Sequence, residues 1–174
     1  MFDVEKLMTI FRKNNVKKDM DVVPRETISV EMNQVSYYIS LVCDDNFELH
    51  VVLLDENNNK ISNILDVNGD RASIVKLRNS LYTFTDNLVF IHDINNLNLD
   101  PLKVSLGKLD LQSVCANKES IYAYSIDCDN IRKYDESLNK VEEYENYYSR
   151  GNLRVLLVLT CSDRTFFFNS YYGS

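Results

Sequence analysis

The feature of this sequence that most restricts its fold is an internal repeat of about 40 residues. Three segments share one order of events: an apolar strand that contains tyrosine, an Asp-Asn turn, a second apolar strand and a second turn led by aspartate. The tyrosines that open the three copies, Tyr38, Tyr82 and Tyr122, lie 44 and 40 residues apart. Repetition at this spacing is typical of chains that stack one supersecondary unit beside the next.

Each copy predicts four antiparallel strands joined by short turns. Asp and Asn tolerate positive φ and bond their own backbone, so an Asp-Asn pair between two apolar runs favours a tight hairpin. A shorter fourth copy, over residues 153–159 and 165–169, predicts two further strands, and the pattern as a whole indicates a mainly β chain. The strands predicted for the three full copies are 28–32, 38–41, 47–54 and 61–65; 74–77, 82–85, 88–91 and 102–106; and 111–115, 122–125, 131–134 and 141–144. The first turns are predicted at Asp45-Asn46, Asp86-Asn87 and Asp129-Asn130, and the second turns at 55–60, 93–96 and 135–140.

The repeat resembles the blades of divergent β-propellers over residues 27–169. Unit length and the order of turns carry the resemblance, together with Tyr134-Asp135 and His92-Asp93 at the place of the Trp-Asp pair in WD repeats. The sequence lacks that Trp-Asp pair, the Gly-His pair and the Gly-Gly pair of kelch repeats. The resemblance implies antiparallel four-stranded blade-like sheets in a partial or small propeller. A β-sandwich or a barrel stays open as the alternative, because other antiparallel meanders give similar spacings.

An amphipathic helix is predicted ahead of the β-region, over residues 3–18. Val4, Leu7, Met8 and Phe11 recur at three- and four-residue steps, which places them on one face. Pro24 favours extended geometry before it and closes off the helix. We therefore divide this single domain into an N-terminal helix and linker, residues 1–25, and a β-repeat domain, residues 26–174.

The β-repeat region is short for a closed propeller. Closure takes at least four blades of about 40 residues, and the 148 residues that follow position 26 hold fewer than four full units. An open stack leaves a sheet face and strand edges uncovered. We expect either the N-terminal helix or another chain to cover that apolar surface.

We expect neither an enzyme nor a bound cofactor. His50 and His92 lie in predicted strands and are interpreted as half-exposed strand histidines, and His92 and Asp93 should point to opposite faces. The four glycines are isolated, which excludes a phosphate-binding loop and a dinucleotide fingerprint. No serine lies in a nucleophile elbow.

We also expect no metal site. The acidic residues Asp44, Asp45, Asp127 and Asp129 fit turn chemistry better than a calcium loop, because the bend glycine and the closing glutamate are missing. The cysteines are too widely spaced for a zinc site and are interpreted as buried or semi-buried reduced thiols. This usage predicts a cytoplasmic protein. The cysteines are Cys43, Cys115, Cys128 and Cys161.

Charge and hydropathy exclude other classes. A net charge of −7 argues against a general nucleic-acid binder, because neutralising phosphates requires a basic face. The longest apolar run is far shorter than the roughly 20 residues of a membrane-spanning helix, so we expect no membrane contact. Asp3 and Glu5 interrupt the start of the chain, which argues against a secretory leader.

Charge is uneven along the chain, and this asymmetry suggests partner-binding residues. Residues 1–25 carry six Lys or Arg against four Asp or Glu, whereas the rest carries 13 against 22. The basic residues either contact an acidic or phosphate-bearing partner or form a solvated helix end. The aromatic C-terminus either pairs into the last strand or anchors a partner. The predicted partner-binding residues are Arg12, Lys13, Lys17, Lys18, Arg25, Phe166, Phe168, Tyr171 and Tyr172.

The expected function is a non-enzymatic protein–protein interaction module within a larger assembly, acting through exposed aromatic side chains and the helix. The chain has 20 Asn and 3 Ala, a bias typical of AT-rich parasite genomes. The first alternative is therefore a dormancy or inhibitory factor bound to a ribosome or another nucleoprotein, with the basic helix against RNA. The second alternative is a small hydrolase on a β scaffold.

Overall fold

The computed structural model describes residues 23–109, 111–125, 130–145, 153–161 and 164–171. These residues form fourteen β-strands and one short 3₁₀ helix. Sheet 1 comprises β1 (Val23–Met32), β2 (Val35–Cys43), β3 (Leu49–Leu54) and β4 (Lys60–Val67). Sheet 2 comprises β5 (Ala72–Leu77), β6 (Ser80–Thr85), β7 (Leu88–Asp93) and β8 (Leu102–Ser105), with the 3₁₀ helix Ile94–Asn96 between the last two. Sheet 3 comprises β9 (Leu111–Ala116), β10 (Ile121–Ser125), β11 (Asn130–Tyr134) and β12 (Lys140–Glu145). β13 (Leu153–Cys161) and β14 (Arg164–Tyr171) form a hairpin.

The repeat predicted from the sequence is confirmed as three antiparallel four-stranded sheets. In each sheet the spatial order of the strands is their order in the chain, so every unit is an up-and-down meander. The fourth copy is the two-stranded β13–β14 hairpin. Within the described ranges the strands belong to separate sheets, which differs from the two sheets of a sandwich and from the closed sheet of a barrel.

Sheet 2 lies between sheets 1 and 3 because its strands are apolar on both faces. Leu81 packs with Ile39 and Val51 of sheet 1, whereas Tyr82 and Phe84, on the other face of sheet 2, pack against sheet 3. The first strands of neighbouring units also lie side by side: β5 contacts β1 and β9, and β13 contacts β9. This arrangement matches the inner strands of adjacent propeller blades.

Polar contacts fix the sheets against one another. The Glu26 carboxylate on β1 accepts hydrogen bonds from the Ser73 hydroxyl at 2.8 Å and from the backbone N–H of Ile74 at 2.6 Å. Burial is the largest influence on this carboxyl and raises the pKa of Glu26, although both hydrogen bonds lower it. Between sheets 2 and 3, the Tyr82 hydroxyl donates to the backbone carbonyl of Glu136 at 2.8 Å.

One five-residue turn recurs at the corners of sheets 1 and 3, beginning at Asp44, Asp55 and Asp135. In each, one carboxylate oxygen accepts from the backbone N–H groups two and four residues later, at 2.8–2.9 Å. The first corner is confirmed at Asp45-Asn46, which are the second and third residues of this turn, and Asp44 before them supplies the carboxylate. Phe47, predicted to begin a strand, is the fourth residue of this turn instead, with φ of 64° and 81% exposure.

The predicted N-terminal helix lies outside the described residues, and the division at residue 25 stays a prediction. β1 begins at Val23, so Pro24 and Arg25 lie in a strand, and the extended geometry predicted before Pro24 is confirmed. No helix in the described part of the chain is long and apolar enough to cross a membrane.

Candidate functional site

A groove of about 690 Å³ opens between sheets 1 and 2, where β4 faces the segment 97–103. Ligand sites commonly have volumes between about 300 and 1,000 Å³. The 3₁₀ helix that precedes this segment holds it in place: Ile94 is buried in the core against sheet 1. The Asp93 carboxylate accepts a hydrogen bond from the backbone N–H of Asn95 at 3.0 Å. The backbone N–H of Leu99 then donates to the Asn96 carbonyl at 3.0 Å.

The groove combines aliphatic side chains with carboxamides and a few charges. Leu99 on the groove and the neighbouring Leu102 are 62% and 64% exposed, so both side chains are accessible from solvent. The Lys103 ammonium lies 5.8 Å from the centroid of the Phe90 ring, within the range of a cation–π contact. The other lining residues are Asn63, Ile64, Leu65, Asp66, Asn68, Thr85, Asn87, Leu88, Leu97, Asn98, Asp100 and Pro101.

Asp66 connects the groove to a carboxylate–imidazole cluster on sheet 1. The His50 Nδ1 lies 2.7 Å from the Asp66 Oδ1, and the His50 Nε2 lies 3.4 Å from the Asp44 Oδ2. The Asn63 amide also donates to Asp66. β3 and β4 pair His50 directly with Asp66, so strand register sets this contact.

The cluster favours its charged form. The hydrogen bond to Asp66 is the largest influence on His50 and raises its pKa. The hydrogen bond from His50 lowers the pKa of Asp66, and the bond from the Glu48 backbone N–H lowers the pKa of Asp44. These directions favour the protonated imidazole and the ionised carboxylates, because each charged form is hydrogen-bonded to a partner of opposite charge.

The same cluster contains three side chains of metal-ligating types, and its histidine is already hydrogen-bonded. Asp44, Glu48 and His50 bring three ligand atoms within 4.8 Å of one another. Both His50 ring nitrogens already lie within hydrogen-bond distance of carboxylate oxygens, which compete with a metal ion or a hydroxyl for them. The geometry is that of an ion-pair cluster.

The environment of His92 differs from the half-exposed one predicted from the sequence. It is 2% exposed, and neither ring nitrogen has a hydrogen-bond partner among the described residues. Burial lowers the pKa of His92 and keeps the ring neutral. The prediction of a half-exposed histidine is wrong here because sheet 2 is covered on both faces. His92 and the exposed Asp93 do point to opposite faces, and His50 is half-buried, both as predicted.

The cysteines that the structure describes are buried free thiols, as predicted for Cys43 and Cys115. Burial raises the pKa of Cys115 to about 12, so this thiol stays protonated. Only the backbone of Cys161 is described, in β13, and Cys128 lies outside the described residues. The cytoplasmic location stays a prediction.

The predicted partner-binding residues are not brought together with the groove. Arg12, Lys13, Lys17, Lys18 and Tyr172 lie outside the described residues, as do Asp127 and Asp129. Arg25 is exposed on β1, and its guanidinium lies 3.7 Å from the Cys43 sulfur. Phe166, Phe168 and Tyr171 lie in β14 opposite Leu159, Leu157 and Leu153, so the predicted pairing into a last strand is confirmed for them. Their role in binding a partner stays a prediction.

No motif or period in the sequence predicted the groove. Most of its loop, residues 97–101, lies between the turn predicted at 93–96 and the strand predicted at 102–106 and was assigned to neither. Two leucines spaced among Asn, Asp and Pro residues, outside any strand or helix period, were the available signal.

Comparisons with known proteins support the fold and give no information on function. No protein-family model and no curated protein matches this sequence. Among solved structures, the crystal structure of BBS1N in complex with ARL6DN matches with a TM-score of 0.54 and 10% identity, over 82% of this chain and 45% of that chain. A chain of the mitotic checkpoint complex matches with a TM-score of 0.42 and 11% identity, over 73% of this chain and 44% of that chain, a likeness too low to carry an argument. The chain spans less than half of these solved chains, and the likeness to BBS1N supports a propeller-like fold alone.

Proposed function

We propose that this chain is a non-enzymatic protein–protein interaction module that acts within a larger assembly, and that its groove binds an aliphatic, basic peptide segment of a partner. The observation that carries the proposal is the groove between sheets 1 and 2, with the exposed Leu99 and the carboxylates of Asp66 and Asp100 on its lining. BBS1N, which this fold resembles, is itself in complex with ARL6DN in its crystal structure. That this chain also binds a protein is our proposal.

The polar lining suits a peptide. The side-chain amides of Asn68, Asn87 and Asn98 each offer donors and an acceptor, which complement the N–H and C=O groups of an extended backbone. Leu97, Leu99 and Pro101 offer apolar contact for every second side chain of such a segment. The groove thus provides both kinds of contact that an extended peptide requires.

Charge sets the preferred sequence of the peptide. The groove lining carries the carboxylates of Asp100 and of Asp66, which also pairs with His50, and the cation Lys103. The whole chain carries a net charge of −7. An acidic surface attracts basic segments and repels acidic ones. A segment that alternates Lys or Arg with aliphatic residues therefore fits best.

The chemistry of the described residues supports a binding role over a hydrolytic one. Both nitrogens of His50 face carboxylates, His92 is buried, and the Cys115 thiol is held protonated. Each of these groups is hydrogen-bonded, buried or held protonated, which disfavours a role as a base or a nucleophile. Nothing observed in this part of the chain favours the ribosome-bound alternative, which stays a prediction.

Peptide selection on the immobilised full chain tests the proposal. Short random peptides are selected, and the dissociation constants of the enriched ones are measured by fluorescence anisotropy. We expect basic, aliphatic sequences that bind at micromolar concentration, with affinity weakened about tenfold or more by Leu99→Asp. Val141→Asp is the matched control, because Val141 is similarly exposed, at 58%, on sheet 3 away from the groove.

Two results contradict the proposal. One is enrichment of acidic peptides or of none. The other is equal affinity of the wild-type chain and Leu99→Asp, which places binding elsewhere. Circular dichroism of both variants confirms that the sheets are retained. Purification of tagged wild-type, Leu99→Asp and Val141→Asp chains from the source cells then identifies partners that only Leu99→Asp loses.

A further inference from the structure

Phe47 is the most exposed large apolar side chain in the described part of the chain. It is 81% exposed and is the fourth residue of the turn that begins at Asp44, between β2 and β3. Single exposed apolar side chains are common in soluble proteins, so exposure alone assigns no role to Phe47. The backbone that carries the ring supplies a second, independent observation.

The backbone at Phe47 is strained and firmly held. Its φ of 64° lies in the left-handed region, which costs free energy for a bulky side chain. The backbone N–H of Phe47 donates to the Asp44 carbonyl at 3.0 Å. The Asp44 carboxylate accepts from the backbone N–H groups on either side of Phe47, those of Asn46 at 2.9 Å and Glu48 at 2.8 Å. The ring therefore projects from a backbone that is already fixed, which reduces the entropy lost when it binds.

The fourth residues of the two other turns of this kind show how such strain is avoided or offset. Asn58, in the Asp55 turn, has φ of 63°, and asparagine tolerates that conformation. Leu138, in the Asp135 turn, has φ of 61°, and its side chain is buried in the core between sheets 2 and 3, which offsets the strain. Phe47 has the same backbone strain as Leu138 but lacks the burial. Strain that persists at an exposed bulky residue points to function, and a contact outside this chain would bury the ring as the core buries Leu138.

The residues beside Phe47 define the chemistry of that contact. Asp45 and Glu48 are both exposed, and residues 44–48, which we call the Phe47 corner, carry three carboxylates and no cation. An aromatic ring among carboxylates suits an apolar pocket that has Lys or Arg at its rim. The same carboxylates are repelled by anionic membrane surfaces and by nucleic acids. A protein partner is therefore favoured over either of these.

We propose that Phe47 is an anchor residue that inserts into an apolar pocket of a partner protein, and that basic residues at the rim of that pocket pair with Asp45 and Glu48. The inference rests on the proposed role of this chain as an interaction module, but it does not rest on the groove. None of residues 44–48 lines the groove among the described residues. The chain thus carries a second contact surface, at the end of sheet 1.

Photo-cross-linking in the source cells identifies the partner at this corner. Phe47 is replaced by p-benzoylphenylalanine, and the cross-linked peptides are identified by mass spectrometry. We expect one protein adduct, whose cross-linked site is apolar with Lys or Arg beside it. Reversing the charge of both neighbours, with Asp45→Lys and Glu48→Lys, should lower the yield of this adduct several-fold.

Val35→p-benzoylphenylalanine is the matched control for the cross-link. Val35 is also exposed on sheet 1, at 47%, but it lies at the opposite end of β2. That strand has nine residues, so about 26 Å separate its two ends. The control position should not give the adduct that forms at Phe47.

The affinity of the purified partner then tests the anchor itself. Phe47→Asn removes the ring and relieves the strained φ, so this variant stays folded, and we expect its affinity to be about tenfold weaker or more by isothermal titration calorimetry. Phe47→Tyr keeps an aromatic ring and should bind nearly as well as the wild-type chain. Leu99→Asp, which alters the groove, should bind this partner with wild-type affinity, so failure of the anchor and failure of the groove give different results.

Four results overturn the proposal. The first is equal affinity of Phe47→Asn and the wild-type chain, and the second is loss of binding by Leu99→Asp alone, which assigns the partner to the groove. The third is an adduct with a second copy of this chain, a lipid or a nucleic acid, or no adduct beyond those of the Val35 control. The fourth is an adduct whose yield is unchanged when Asp45 and Glu48 are reversed in charge, because the partner pocket then has no basic rim.

Discussion

The turns that begin at Asp44 and at Asp135 share a backbone and differ in their surroundings. In both, the first N–H donates to the fifth carbonyl, at 3.0 and 3.1 Å, and the fourth N–H donates back to the aspartate carbonyl. The fourth residue has positive φ in both, 64° at Phe47 and 61° at Leu138. Phe47 is exposed, whereas Leu138 is 4% exposed in the core between sheets 2 and 3. The aspartate therefore fixes the turn, and tertiary packing decides what the fourth side chain does.

The second carboxylate oxygen also differs between the two turns. In the Asp135 turn it accepts from the side-chain amide of Asn139 at 3.0 Å, as Asp55 does from Asn59 at 2.9 Å. In the Asp44 turn it faces the His50 ring. A neutral amide is thus replaced by a titratable imidazole, which connects this corner to Asp66 and the groove and makes it sensitive to pH.

The largest expected effect that separates the two turns is that of Leu138→Asn. Asn keeps the tolerance for positive φ but removes a buried aliphatic side chain and buries an amide. We expect the free energy of unfolding to fall by about 3 kcal/mol, measured by urea denaturation. A fall below about 1 kcal/mol, the usual effect of a surface change, would mean that the Asp135 turn is not part of the core.

The second-largest loss of stability is expected when the carboxylate of the aspartate that begins the turn is removed. Asp135→Ala loses two bonds from backbone N–H groups and one from Asn139, and we expect a loss of between about 1 and 2 kcal/mol, as for a helix cap. Asp44→Ala should lower the urea midpoint by less, because its turn is more exposed.

Asp45→Ala is the control for the Asp44 variant. No bond to the exposed Asp45 side chain is found in the described part of the chain, and the urea midpoint should not change. An effect of Asp45→Ala as large as that of Asp44→Ala would mean that the Asp45 side chain also stabilises this corner.

The differences between these regions also show what sequence can and cannot predict. The strands of all three full units were predictable, because Asp-led turns and strand alternation are local signals. Asp44 and Asp45 have the same propensity, so the hydrogen bonds alone decide which one leads. An alternating pattern does not reveal that both faces of a sheet are covered, and His92 was therefore misjudged.

The groove was out of reach of sequence reasoning for a related reason. It forms only when β4 packs beside a loop more than 30 residues later in the chain. No local pattern encodes that contact. The cluster of His50 with Asp66 likewise depends on the register of β3 and β4, which the two strand predictions did not specify.

The pKa values of the two histidines should be shifted in opposite directions from the ordinary value of an imidazole. The pKa of His50 is raised above 6.5, so its contribution to stability is complete below pH 6.5 and is lost as pH rises through the folded-state pKa. The pKa of His92 is lowered, so its contribution to stability is complete above pH 6.5. That contribution is lost as pH falls through the folded-state pKa of His92. NMR titration of the two ring signals, assigned with His50→Gln, measures both values directly.

The stability of His50→Gln provides a second readout of the ion-pair cluster. Asp44 and Asp66, whose pKa values lie below 3.8, stay ionised above that pH. Relative to His50→Gln, the wild-type chain should be more stable by about 0.5 to 1 kcal/mol between pH 4 and 6.5, and this difference should vanish at pH 9. A difference that persists at pH 9 would mean that His50 acts through packing and not through charge.

The smallest effect is expected at the exposed fourth position, with Phe47→Asn. Asn adopts positive φ at lower cost than Phe, and the exposed Phe47 has little buried area to lose, so the free energy of unfolding should rise by about 0.4 kcal/mol.

Phe47→Ala is the matched control, because alanine also loses the ring but keeps the strain of positive φ, and its stability should stay near wild type. Stabilisation by both variants would point to a penalty from the exposed ring, and destabilisation by both would reveal a packing role for Phe47. Phe47→Asn should raise the free energy of unfolding, whereas Leu138→Asn should lower it. Together, these two results would establish that the same turn backbone occurs at a surface corner and at a core corner.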